Sequence, residues 1–330
     1  MAFGTNHVTL TEVTASSRTR SNSAFVRELW TDEIIAAYKS NLVIPNLVVN
    51  MPFTGRKGDT FHVPNPTRGS ASAKGSESMV TLIANQETSK QYLIDQHYEY
   101  SRLIEDIAAI QADDSVRKFY TDDAGYALAK LVDTALHNEG AKFAGADAAP
   151  TTAGSAYSKA VIGSDGSTAW NSAANADLGN AAALADAGIR EVIRQLDDND
   201  VPNSGRVLVI PPVEKKSLTG IARFTEQAFV GEEGMGNTIR NGKIGNIYGV
   251  DVFVSSNCTA VPDAVSTPGY LQNAALLFQK EAIVFIEQLS PRVQTSYIQE
   301  YLGDLFTADT IYGTGVLRPE AGVAIVVPNS

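Results

Sequence analysis

A chain of 330 residues with 44% apolar side chains can bury a core of one large domain or two, which excludes a disordered polymer. The formal charge of -11 and a pI near 4.9 exclude a protein whose main task is gripping phosphates, because such proteins gather Lys and Arg on one face. Cys258 has no second cysteine to pair with and lies in SSNCTAV without a neighbouring zinc ligand, which suits a reducing cytoplasm.

The N-terminus MAFGTNHVTLTEVTASSRTRSNS has no apolar signal-peptide region, and no apolar run approaches the roughly 18 to 20 residues of a membrane span. No internal repeat appears at periods of about 20 to 50 residues. Residues 1 to 23 are polar and aperiodic and read as an extended arm that must dock to be ordered. A short amphipathic helix follows, with Phe25, Leu29, Trp30, Ile34, Ile35 and Tyr38 at helical spacing and Asn41 and Pro45 near its stop.

From Met51 to about Tyr100 turn chemistry alternates with strand-like runs. Gly55 to Asp59 form a turn before Phe61, His62 and Val63, and Pro64 and Pro66 exclude a central strand. The small-residue stretch TRGSASAKGSES then leads into MVTLIANQETSKQYLIDQHYEY. Two extended runs joined by such a tip predict a long projecting hairpin that leans on another subunit. Arg56, Lys57, Arg68 and Lys74 fit there as charge complements to an acidic neighbour, since no interleaved aromatics suggest base stacking.

The strongest local signal is DDSVRKFYTDDAGYALAKLVDTALHNEGA. Val116, Phe119, Tyr120, Ala124, Ala127, Leu128, Leu131, Val132, Ala135 and Leu136 form one stripe at three-four spacing. Asp113 or Asp114 is placed to cap its start and Gly140 to end it, which predicts a spine helix of about 25 residues, roughly 37 Å long. Residues 141 to 180, rich in Ala, Gly, Ser and Thr, read as a surface loop. A second helix over about Ala181 to Leu196 feeds the strand Arg206 to Ile210, and Pro211 and Pro212 open a short helix, VEKKSLTGIARF. Strands VDVFVSS, AALLFQKEAIVFIEQL and AGVAIVV follow, so the fold class is α+β or α/β. Ile298, Tyr301, Leu302, Leu305 and Phe306 have helical spacing.

Catalytic chemistry finds no carrier. Between Gly231 and Gly249, a phosphate loop fails because Asn237 stands where its first glycine belongs and Ile244 follows Gly242-Lys243. A dinucleotide fingerprint starting at Gly234 and Gly236 meets Ile239 at its third glycine. His7, His62, His97 and His137 lie far apart without metal-ligand spacing and read as surface or packing residues. Asp113, Asp114, Asp122 and Asp123 read as capping and solvated residues of the helix. No enzyme activity, metal or cofactor is expected.

Four segments in order, KGDTFHVPNPTRGSAS, QYLIDQHYEY through the spine helix, KIGNIYGVDVFVSSN and GVLRPEAGVAIVV, resemble the major capsid proteins of tailed bacteriophages, the short-tailed group in particular. The resemblance runs from about residue 25 to the C-terminus. It implies the α+β capsid fold shared with encapsulins and the herpesvirus capsid floor: an N-terminal arm at 1–50, an extended loop at 51–100, a peripheral domain at 101–145 and 287–314, and an axial domain at 146–286 and 315–330. It implies strands where Ile298 to Phe306 show helical spacing.

The resemblance further implies self-assembly into hexamers and pentamers of an icosahedral virion shell around double-stranded DNA, built in the host bacterial cytoplasm. A separate scaffolding protein and a portal are the expected partners, with no membrane, and the presence of a decoration protein is left open. Intersubunit contacts are then expected from Phe25, Trp30, Arg56, Lys57, Arg68 and Lys74, and an axial loop from Gly231, Gly234, Gly236 and Gly242, in which the first three leave the loop mobile while Gly242, with Gly245 and Gly249, shapes the turn into VDVFVSS. Some relatives crosslink a loop lysine to a neighbour's asparagine. Lys57 and Lys74 lie in that region, but no catalytic carboxylate can be placed beside them. The alternatives are an encapsulin-like compartment shell and a nucleotide-binding enzyme using the loop from Gly231 to Gly249.

Overall fold

The computed structural model describes residues 43–53, 58–66, 69, 71–77, 79–80, 82, 87–105, 115–148, 157–171, 179–221, 245–261 and 272–329. Three sheets and one long helix organise them.

The six-stranded sheet is built from β5 (Val161–Ile162), β6 (Arg206–Ile210), β7 (Asn246–Ile247), β8 (Val250–Val254), β9 (Gln272–Gln279) and β12 (Gly322–Pro328), in the order β5-β12-β9-β6-β8-β7. Its central strands are apolar on both faces because both faces are covered. Leu208, Ile210, Ala275, Leu277, Val323, Ile325 and Val327 pack against Ile189, Val192 and Leu196 of the helix α2 (Asp186–Asp198). The alternate residues Val207, Val209, Ala274, Leu276, Phe278, Ala324 and Val326 point the other way. There they meet Ile44, Leu136, Phe143, Tyr157 and Trp170.

Both faces correct the reading of 141 to 180 as a surface loop. Phe143, Ala146, Ala148, Tyr157, Ala160, Val161 and Trp170 are all buried, and β5 joins the sheet parallel to β12. Small residues are needed here because backbones approach closely: a Cβ on Gly145 would lie 2.6 Å from the Glu320 carbonyl oxygen. The second helix also begins later than its periodicity suggests. Ala181 to Ala185 stay outside the helix, with the Leu184 amide donating to Glu214 (2.7 Å) and the Ala185 amide to Gly163 (3.1 Å). Pro211 precedes the short helix α3 (Pro212–Thr219), where Pro at the first position needs no amide partner.

The four-stranded sheet contains β1 (Val49–Pro52), β4 (Gln96–Glu105), β10 (Ile283–Ile298) and β11 (Gly303–Val316), in the order β1-β10-β11-β4. The helical spacing at Ile298 to Phe306 gives way to a strand, a turn and a second strand. β11 is held between β10 and β4, pairing with all ten residues of β4, and such a ladder outweighs a short local pattern. β2 (Thr60–Pro66) and β3 (Glu87–Leu93) form the expected antiparallel hairpin.

The spine helix α1 (Ser115–Glu139) has the expected length and ends where expected. Its earlier turns lay Ala124 and Leu128 on Phe306 and Ala308 of β11, whereas Leu136 enters the core of the six-stranded sheet. The buried direction swings around the helix between these two partners. Leu131 therefore stays 42% exposed although it belongs to the sequence stripe, and Asp133 and His137 are fully buried although they do not.

Gly140 does not end the helix by adopting a left-handed conformation; it continues into a 3-10 turn, Gly140–Lys142. Its lack of a side chain makes room for Leu276, whose Cδ1 would lie 2.7 Å from an added Cβ. Asp113 and Asp114 lie outside the described residues.

Candidate assembly surfaces

The two large sheets meet along α1, and buried polar groups make the joint specific. Asp133 accepts from the amides of Val43 (3.2 Å) and Ile44 (2.9 Å) and from Asn257 Nδ2 (2.8 Å). The carboxylate thus satisfies the free amides that open the turn Ile44–Asn46 and ties them to the segment after β8. One helical turn later, His137 accepts at Nδ1 from the Thr259 amide (3.1 Å), and burial lowers its pKa to about 3. Cys258, half-buried between these contacts, has its thiol pushed up to about 12 by burial and then by Asp133, which holds it in the neutral form.

The root of the hairpin is fixed on the four-stranded sheet. Tyr92 lies across Gly315, where an added Cβ would meet its ring, and its hydroxyl donates to the Val316 carbonyl (3.0 Å). Gly313, two residues earlier on the same face of β11, admits the Leu93 backbone. Lys90 Nζ donates to the Leu317 carbonyl (2.7 Å), and Gln288 Nε2 to that of Gly58 (2.9 Å). Phe53 and Phe61 meet edge to face, and with Ile94, Val284 and Ile286 they close a small apolar core. The hairpin leaves the body in a set direction.

Beyond this root the four-stranded sheet has two different faces. Residues directly opposite one another share a face, so Phe306, Arg102, Ala308 and Tyr100 form the side on which α1 packs. Arg102 stacks there on the Tyr120 ring at 4.7 Å. The opposite face carries Leu103 with Leu305 and Glu99 with Asp309. Arg292 donates to both oxygens of Asp309 (2.8 and 3.0 Å), which holds that carboxyl below its ordinary range, and His97 lies 3.4 Å away.

Large apolar side chains stand open at the far end of this sheet and along the link between β2 and β3. Val293, Tyr297, Tyr301 and Leu302 are each at least half exposed near the β10–β11 turn. Met79 is 95% and Leu82 89% exposed. Sequence reading missed both groups. MVTL was visible as an apolar run between polar stretches, whereas Val293 and Tyr297 lie opposite Ala308 and Asp304, on the face where α1 packs, and stay half exposed on the neighbouring strand.

Of the sequence-predicted contact residues, Lys74 is described and is exposed, in a stretch without regular structure. Phe25, Trp30, Arg56, Lys57, Arg68, Gly231, Gly234, Gly236 and Gly242 lie outside the described residues. The end of the glycine-dense loop is described. Tyr248 (φ 51°) and Gly249 (φ 83°) make the tight turn between β7 and β8, a pair of left-handed residues as a type I′ hairpin requires. A Cβ added to Gly245 would meet nothing within 4 Å.

Among the described residues no three His, Cys, Asp or Glu side chains gather as a metal-binding group, and no helix is long and apolar enough to cross a membrane. His62 and His97 are exposed, and His137 is buried.

Comparison with curated proteins gave no match. Solved structures gave many at the level of fold. A chain from Mycobacterium phage Che8 is 22% identical with a TM-score of 0.67, covering 91% of this chain and 97% of its own length. The capsid of cyanophage P-SCSP1u matches at 18% identity and a TM-score of 0.67, covering 96% of this chain and 97% of its own. That of cyanophage Pam1 matches at 12% and 0.68, covering 95% and 99%. The arrangement of spine helix, rooted hairpin and two sheets is therefore the tailed-phage major capsid fold. A family model described as phage capsid protein matches residues 104–325, two thirds of the sequence and most of both large sheets. A chain with this fold and this family match, whose apolar surfaces stand open at the end of one sheet and beside its hairpin, belongs to the phage capsid protein family and is a structural subunit of the virion shell.

Proposed function

We propose that copies of this chain close as hexamers and pentamers into an icosahedral shell around double-stranded DNA, assembled in the host cytoplasm and without enzymatic activity. A separate scaffolding protein guides closure, a portal occupies one vertex, and a decoration protein can seat on the outside. The domains follow the sequence reading: arm 1–50, extended loop 51–100, peripheral 101–145 and 287–314, axial 146–286 and 315–330. The reading is supported by the four-stranded sheet, which draws on 49–52, 96–105 and 283–316, and by the six-stranded sheet, which draws on segments between 161 and 279 and on 322–328.

The observation that carries the proposal is the exposed apolar side chains at Met79, Val80 and Leu82 and again at Val293, Tyr297, Tyr301 and Leu302. Two separate apolar patches on one chain suit a head-to-tail contact, in which the loop of one copy covers the sheet end of the next. Lys74 with Arg56, Lys57 and Arg68 then meets an acidic neighbour carrying Glu99, Glu105 and Asp304. Negative-stain microscopy of the expressed chain, alone and with its scaffolding protein, tests this. Icosahedral particles are expected, and a stable monomer under both conditions overturns the proposal.

A further inference from the structure

His137 sits where α1 crosses onto the six-stranded sheet, and its hydrogen bonds fix its protonation state. Thr259 donates its amide N–H to Nδ1 (3.1 Å). The Thr259 hydroxyl, 2.9 Å from the same nitrogen, donates its hydrogen to Asn138 Oδ1 (2.8 Å). The amide bond makes Nδ1 an acceptor and places the ring proton on Nε2, which is buried without a partner among the described residues. A second proton can be added only at Nδ1. It would set an N–H against the Thr259 amide N–H, so the cationic ring and the Thr259 amide bond exclude each other.

The partner segment is held from the other side as well. The Ala274 amide on β9 donates to the Thr259 carbonyl (3.0 Å), and the Val261 amide to that of Gln272 (3.1 Å). Residues 255–261 are thus stitched to the sheet by backbone bonds and to α1 by the side chains of Asp133 and His137.

The carboxylates nearest His137 are held by other partners. Asp133, one turn earlier, has its oxygens occupied by Val43, Ile44 and Asn257. Glu139 is paired with Lys142 at 2.7 Å and accepts from Thr314 at 3.1 Å. Burial holds the thiol of Cys258 and the phenol of Tyr157, which faces Thr259, in their neutral forms.

We propose that His137 and Thr259 form an acid-released latch, which parts α1 from the segment at residues 255–261 and loosens the joint between the two large sheets while each sheet stays paired. The closed ring resists protonation because it is buried, and the proton is taken up in the opened form. Opening is then favoured by up to about tenfold per pH unit as pH falls below the ordinary histidine value of 6.5.

Hydrogen exchange by mass spectrometry on the full chain, from pH 7.5 to pH 4.5 and corrected for intrinsic rates, tests the latch. Protection of peptides spanning 133–140 and 255–261 is expected to fall about a hundredfold in the wild-type chain between pH 7.5 and pH 4.5. Peptides of β6, β9 and β12 should stay protected. His137→Gln, whose amide oxygen can accept from Thr259 but takes up no proton in this range, should show a flat profile. Equal acid loss in His137→Gln and wild type, or no loss in wild type, overturns the proposal. If that variant does not fold, the histidine 15N spectrum of the wild-type chain decides. An Nε2–H tautomer at pH 7.5 that gains its second proton as the Thr259 amide loses protection supports the latch. An Nδ1–H tautomer, or a ring that titrates near 6.5 with Thr259 undisturbed, excludes it.

Discussion

Gly140 shows how an absent side chain can carry structural meaning. Its position after the spine helix suggests a left-handed cap, yet the chain continues into a 3-10 turn and the space above Gly140 belongs to Leu276. Gly140→Ala should therefore lower stability by roughly 1–3 kcal/mol through overpacking. Shrinking the facing side chain should restore part of the loss. A double-mutant cycle with Leu276→Val, read by chemical denaturation, is expected to show coupling, and additive losses would place the strain elsewhere. Gly249 behaves as the sequence suggested, because a tight hairpin turn dictates its backbone angles locally. The role of Gly140 depends on a residue 136 positions away, so no local rule could find it. Asp133 and His137 are similar cases: each interrupts a helical pattern as a polar residue, and only the segments that close over α1 turn them into buried contacts.

At the scale of elements, α1 was legible because its stripe runs for the length of the helix. What the stripe did not reveal is that the helix changes partner midway, and this leaves Leu131 in the open. β2 has a feature that only pairing explains. Residues two apart in a strand turn their amides to the same edge, so Pro64 and Pro66 remove two donors from one edge of the hairpin. Keeping seven paired positions with β3 favours placing that loss on the outer edge, where it discourages a stray strand from adding. Replacing both by threonine should leave the hairpin folded but raise the fraction of chain in irregular aggregates, measured by sedimentation under assembly conditions. Unchanged sedimentation would show that the edge is shielded in another way. β10 and β11 illustrate the reverse situation, since their apolar spacing near the turn mimics a helix and only long-range pairing with β4 selects strands.

For the whole molecule, stability of the subunit and its capacity to assemble should separate. Met79 and Leu82 are almost fully exposed, so nothing in the folded subunit depends on them. Met79→Ser together with Leu82→Ser should change the subunit's stability by less than about 0.5 kcal/mol. The same pair is expected to lower the yield of closed particles at least tenfold, counted by microscopy, because each loop loses its apolar anchor at every contact in a shell. Normal particle yield would assign the loop's grip to other residues, with the basic side chains the first to test.

The sequence by itself determined the helices α1 and α3, the hairpin of β2 and β3, the buried runs of β6 and β12, and the family, because each rests on local periodicity, turn chemistry or an ordered set of short segments. The extended start before α2, the burial of 141–148 and 157–171, the strand identity of β10 and β11, the Tyr92 seat over Gly315 and the neutral His137 were decided only by tertiary structure. A segment's own residues fix which conformations are cheap, whereas burial, pairing and protonation depend on what lies opposite in space. A chain rich in Ala, Gly and Ser looks like a loop until a sheet needs a thin cover, and here the sheet's two faces provide that need.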